Sequence, residues 1–167
     1  MSDPRAADAA ARPPGPLVVL PAGAPAGALA ERIALADSTE GLERFDLLAH
    51  GPAAPQALLL ALERPGAVRT LVLAAAAPPS DPALAQRLAG CKVPTLAVLG
   101  TRDAEVPPAT GRRWHALIPG CHVVFLYDAG RDLAADQPSA FADIVIDFIR
   151  DPAAFLVNRR DGSLHYR

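Results

Sequence analysis

The sequence predicts an α/β protein, a three-layer sandwich around a mostly parallel sheet of about five strands. Two observations carry this. The run at 17–20 is continuously apolar, the mark of a strand buried on both faces, and further strands are read at 45–49, 68–74, 95–99 and 123–127. Segments of helical composition lie between them, and strands alternating with helices at this spacing imply parallel pairing with right-handed crossovers.

The elements follow in order. Residues 1–16 are rich in Ala, Pro and Arg and read as a flexible N-terminal arm. The first strand, 17–20, is broken by Pro21-Ala22-Gly23-Ala24-Pro25, and 27–36 has helical composition. The second strand, 45–49, leads to a helix over 54–63 that stops at Arg64-Pro65-Gly66. The third strand, 68–74, is followed by a Pro-rich link, a short helix near 84–88 and the fourth strand at 95–99. A helix near 109–117, the fifth strand at 123–127 and a last helix over 139–150 complete one domain, 17–150. The tail, 151–167, could form a hairpin about Asp161-Gly162 or stay disordered.

Composition narrows the function classes. Of 167 residues, 51% are hydrophobic and 20% charged, which fits a globular domain with one core. A net charge of −2 gives no footprint for nucleic acid. No run approaches the ~18 apolar residues of a membrane span. The first 16 residues have no hydrophobic core and contain Asp3 and Asp8, unlike a signal peptide. Cys91 and Cys121 stand far apart without C-x-x-C spacing, so they read as buried thiols. His50, His115, His122 and His165 show no ligand spacing, so neither a metal nor a cofactor is expected, and the location expected is cytoplasmic.

Several motifs, in order, resemble the α/β-hydrolase superfamily. Asp46-Leu47-Leu48-Ala49-His50-Gly51-Pro52-Ala53 resembles its G-x-S-x-G nucleophile elbow, with Ala49, Gly51 and Ala53 at the defining positions. Gly41-Leu42-Glu43-Arg44-Phe45 resembles the approach to the elbow strand. Glu63-Arg64-Pro65-Gly66-Ala67-Val68-Arg69-Thr70-Leu71-Val72-Leu73 resembles the next helix end and strand. Val93-Pro94-Thr95-Leu96-Ala97-Val98-Leu99-Gly100-Thr101-Arg102-Asp103 resembles the strand that carries the family's acid. Pro119-Gly120-Cys121 and Asp128-Ala129-Gly130-Arg131 resemble the segment that carries its base.

The resemblance implies triad positions at Gly51, Asp103 and Arg131. Glycine has no side-chain atom to attack a carbonyl, and arginine stays protonated and cannot serve as the base. Asp103 is left without a histidine to orient, and reads as a loop cap or as an ion-pair partner of Arg131. His50 reads as a residue packed under the turn, with a ligand-binding role as the alternative; His122 and Cys121 read as packing residues. Pro52, after the elbow, has no N–H for an oxyanion hole, and Pro21 stands where the other half of that hole usually has histidine.

The family's sheet has about eight strands in the order 1-2-4-3-5-6-7-8. If residues 17–20 are its third strand, the resemblance implies that strands one, two and four are absent; the link from Ala74 to Thr95 is too short for a lid domain. Leu17, Val18, Val19 and Leu20 would then form a bare sheet edge, and a single helix would cover one face. From this comes the expected function: a catalytically inactive accessory subunit, in a homo-oligomer or with a protein partner through those four residues. The alternative is a repurposed enzyme or a binder of a small carboxylate at His50, Asp103 and Arg131.

Overall fold

The computed structural model describes residues 15–24 and 26–157. Six strands, β1 (Leu17–Leu20), β2 (Leu35–Ala36), β3 (Phe45–His50), β4 (Val68–Ala74), β5 (Thr95–Gly100) and β6 (His122–Leu126), form one sheet in the order β2-β1-β3-β4-β5-β6. Every pairing is parallel. Seven helices surround it: α1 (Leu29–Arg32), α2 (Ala54–Glu63), α3 (Pro82–Leu88), α4 (Gly111–Leu117), α5 (Leu133–Asp136), α6 (Pro138–Arg150) and α7 (Pro152–Val157). The α/β three-layer sandwich is as the sequence predicts, with one strand more. No described helix is long and apolar enough to cross a membrane.

Strand alternation divides the core in two. Val18, Leu47, Ala49, Leu71, Leu73, Ala97 and Leu99 pack against α2, α3 and α4, around Leu58, Leu88 and Trp114. Leu17, Val19, Leu48, Val72, Leu96 and Val98 face the other layer, where α1, α5, α6 and α7 contribute Leu29, Leu133, Phe141, Phe148 and Phe155. Fully burying residues of this size contributes about 1.5–3 kcal/mol each, which stabilises helices such as α1, too short to hold by propensity alone. Capping helps at the ends: Asp81 Oδ1 accepts the Ala83 N–H at 2.9 Å at the start of α3.

Three expectations are corrected here. Residues 27–36 do not form a helix: after one turn of α1, the chain extends at Ile33 and β2 pairs with Leu17 and Val18. Helical composition there yields to the need to pair the outer edge of β1. In the family's order the six strands correspond to 4-3-5-6-7-8, so the fourth strand is present as β2, and the described sheet lacks counterparts of one and two. Second, Leu17, Val18, Val19 and Leu20 are buried within the chain, at 0%, 0%, 2% and 9% exposure, so their side chains do not form a bare apolar surface. Third, the face expected under one helix is shared by four; Arg32 ties α1 to α6 through Asp143 at 2.6 Å. Residues 155–157 belong to α7, not to a hairpin. The proposed turn at 161–162 lies outside the described residues.

Candidate functional site

The site implied by the resemblance gathers at the C-terminal ends of β3 and β5, where ligands of open parallel sheets bind. β3 ends at His50, and Gly51–Ala53 make one tight 3-10 turn into α2. Gly51 sits at φ +45°, left-handed backbone that glycine adopts without strain. The sharp strand-to-helix turn of a nucleophile elbow is therefore kept, with no side chain at its apex.

Two loops close over that apex. At the end of β5, a Cβ on Gly100 would stand 2.3 Å from the carbonyl oxygens of both Ala129 and Gly130. Only a glycine lets the loop after β6 descend this far. The loop is pinned by Arg102 N–H to Ala129 O (2.9 Å), Asp128 N–H to Thr101 Oγ1 (2.9 Å) and Gly130 N–H to Asp136 Oδ2 (2.7 Å). Arg131 is thereby delivered over the elbow: its Nη2 lies 3.6 Å from where a Cβ on Gly51 would be. The guanidinium thus lies in van der Waals contact with the position that a side chain at Gly51 would take.

Arg131 is held there by Glu105, not by Asp103. This corrects the ion-pair reading of Asp103 and bears out the loop-cap reading. Asp103 is 5% exposed, and its Oδ1 accepts the N–H groups of Glu105 (2.9 Å) and Val106 (3.0 Å). Two backbone donors that would otherwise go unpaired fix the carboxylate inward. Its Oδ2 is buried without a partner among the described residues. Glu105, two residues on and exposed, has the reach to meet Arg131. Its only sequence signal is its place in Asp103-Ala104-Glu105, too weak to single it out. The side chains of the pair are 45% and 71% exposed, so it contributes about 0–1 kcal/mol.

His50 packs toward α6, with its ring 6.2 Å from Phe141. Its Nε2 is buried without a hydrogen-bond partner among the described residues. Burial pushes its pKa below 6.5, partly offset by the charge of Asp132. The imidazole is therefore neutral near pH 7 and has no serine or cysteine beside it in the elbow sequence. His122 is a packing residue as expected, edge-on to Phe148 and Phe155 at 5.8 and 5.5 Å. Cys91 is a free thiol and Cys121 is buried, as a packing residue would be.

Of the two oxyanion elements that the resemblance implies, one falls at Pro52 and the other in the loop after β1. Pro52 offers no N–H. In the loop after β1, the Gly23 N–H is directed to Asp37 Oδ1 at 3.3 Å. Between β4 and β5 the chain holds α3 and no lid. Ala75, directly after β4, has φ +48°, a position sequence reasoning gives no sign of; its N–H donates to Val98 O at 2.9 Å.

No family model matches the chain, and no curated protein matches it in sequence. Solved structures do match. A predicted CIB-like hydrolase from Thermoplasma acidophilum aligns with TM-score 0.61 and 22% identity, over 66% of this chain and 53% of its own. The α/β-hydrolase MGS-MChE2, from a sediment metagenome of the Mar Chica lagoon in Morocco, gives 0.60 and 18%, over 68% and 64%. A point mutant of the meta-cleavage product hydrolase CumD gives 0.64 and 12%, over 80% and 90%. The chain thus spans about half the length of the Thermoplasma protein and under two thirds of MGS-MChE2. Six parallel strands in the expected order and an elbow-like turn make this an α/β-hydrolase-fold protein. Its described residues form six parallel strands of that fold.

Proposed function

We propose that this chain is a non-hydrolytic α/β-hydrolase-fold protein that works as an accessory subunit by associating with another protein. The observation that carries the reading is Gly51 at the elbow-like turn with the Arg131 guanidinium beside it, which together offer neither a nucleophile nor a base. Three separate requirements of acyl transfer fail together: nucleophile, base and oxyanion donors. A fold retained without its chemistry keeps its surface, and binding is what a surface can do. The reading of a carboxylate-binding pocket has less support, because Glu105 already engages Arg131 and Asp103 and Asp132 add negative charge to the same loops.

The test is hydrolysis of p-nitrophenyl acetate and butyrate by the purified chain. The expected rate equals that of a heat-denatured control. Turnover that disappears on substituting His50, Asp103 or Arg131 would overturn the reading.

A further inference from the structure

On the far side of the sheet from β2, two aromatic side chains stand in solvent: Phe125 at 46% exposure and Tyr127 at 65%. Phe125 is next to last in β6, and Tyr127 follows in the turn directly after the strand. Phe125 lies on the side covered by α4. A Cβ on Gly111 would lie 2.8 Å from Val123 Cγ1 and 3.2 Å from Phe125 Cζ, so the first turn of α4 rests directly on β6. The next two residues, Arg112 and Arg113, are exposed, and neither makes an ion pair among the described residues. The nearby acids are already engaged: Asp128 pairs with Arg102 at 2.9 Å, and Glu105 with Arg131.

Building on the accessory-subunit reading above, we propose that Arg112, Arg113, Phe125 and Tyr127 form a docking surface for an acidic, aromatic-bearing segment of a different protein. Phe, Tyr and Arg are the residues enriched at the energetic centres of protein interfaces. Charge selects the occupant. A second copy joined through β6 by a two-fold axis perpendicular to the sheet would set α4 beside its own image and crowd four uncompensated guanidinium groups. The chain's residues 158–167 carry Arg159, Arg160 and Arg167 against Asp161 alone, the same sign as the surface. An acidic partner neutralises the arginines while its aromatic side chains cover Phe125 and Tyr127.

The test is fluorescence anisotropy with the full chain and three labelled peptides: one of Asp and Glu around two Phe, one with Lys replacing every acid, and one with Ser replacing both Phe. The first is expected to bind about tenfold tighter than either of the others. Arg112→Glu with Arg113→Glu should abolish the preference for acid, and Phe125→Ser with Tyr127→Ser should abolish the preference for Phe. All four side chains are exposed, so unchanged circular dichroism and melting temperature serve as the folding control. No binding of the first peptide, equal binding of the acidic and basic ones, or a self-dimer dispersed by these substitutions would each overturn the proposal. Its failure is separable from that of the reading beneath it. Ester hydrolysis by the wild-type chain removes the accessory reading whatever the peptides do. A complex with another protein that survives all four substitutions removes only this surface.

Discussion

Restoring the lost triad should not restore an esterase, and the reason can be worked through in magnitudes. Gly51→Ser brings a hydroxyl beside Arg131 Nη2, which lies 3.6 Å from the Cβ position, and the single variant still lacks a base. Adding Arg131→His removes the guanidinium and supplies an imidazole at the position that the resemblance assigns to the base. A serine at φ +45° costs about 1–2 kcal/mol, tolerable for a domain stable by about 5–15 kcal/mol. Yet each missing oxyanion donor costs about 10²–10³ in kcat, and here Pro52 has no N–H while Gly23 spends its own on Asp37. The double variant should therefore hydrolyse p-nitrophenyl acetate barely above background. Adding Pro52→Ala returns one backbone donor, and the triple variant should exceed the double by about 10²-fold. Stopped assays with active-site titration would read both. A double variant as fast as the triple would refute the oxyanion argument.

Three further outcomes follow from the same geometry. His50 titrates below 6.5 when folded and near 6.5 when unfolded, so below about pH 6.5 the unfolded chain takes up the proton first; stability should fall as pH drops through that value and hold above it, and His50→Gln should flatten the slope in urea titrations at pH 5.5 and 7.5. Gly100→Ala drives a Cβ to 2.3 Å from two backbone carbonyls and should destabilise by about 3 kcal/mol in chemical denaturation; a change under about 1 kcal/mol would show that the loop moves freely. In double-mutant cycles, Arg131 and Glu105 should couple by less than about 1 kcal/mol, while Arg131 and Asp103 should prove additive.

The sheet was legible because its strands are buried on both faces, and unbroken apolar runs such as Leu17–Leu20 have few other readings. β2 was not. A two-residue strand leaves no periodicity, and Leu35–Ala36 extends only because β1 offers an edge to pair with. That one miss produced the larger error, a bare interface at Leu17–Leu20. α1 and α7 were missed for a related reason: each is short, and each is held by distant partners, α1 by Asp143 and α7 by Phe155 against His122 and Phe148. At the site, residue types sufficed to find what is lost, since neither glycine nor proline can supply the missing atoms in any fold. What replaced it was illegible. Whether Arg131 meets Asp103 or Glu105 depends on which carboxylate the backbone claims first, and the N–H groups of Glu105 and Val106 claim Asp103.

The conformation of the elbow separates architecture from catalysis. A serine at such a turn is strained, and an enzyme maintains that strain because the exposed oxygen is useful. With glycine at φ +45° the strain is gone while the turn still carries the chain from β3 into α2. The Asp103 turn likewise persists because it caps two N–H groups, not because an acid is needed. Each retained feature of the site thus has a structural cause of its own. The two features with no such cause, nucleophile and base, are the two that are missing. Ala75 marks the limit of this relaxation: it keeps φ +48° at a cost of about 1–3 kcal/mol, fixed by its bond to Val98 O at the point where β4 turns away from the site. Relaxation of this kind fits the proposed reading, in which the chain works through its surface.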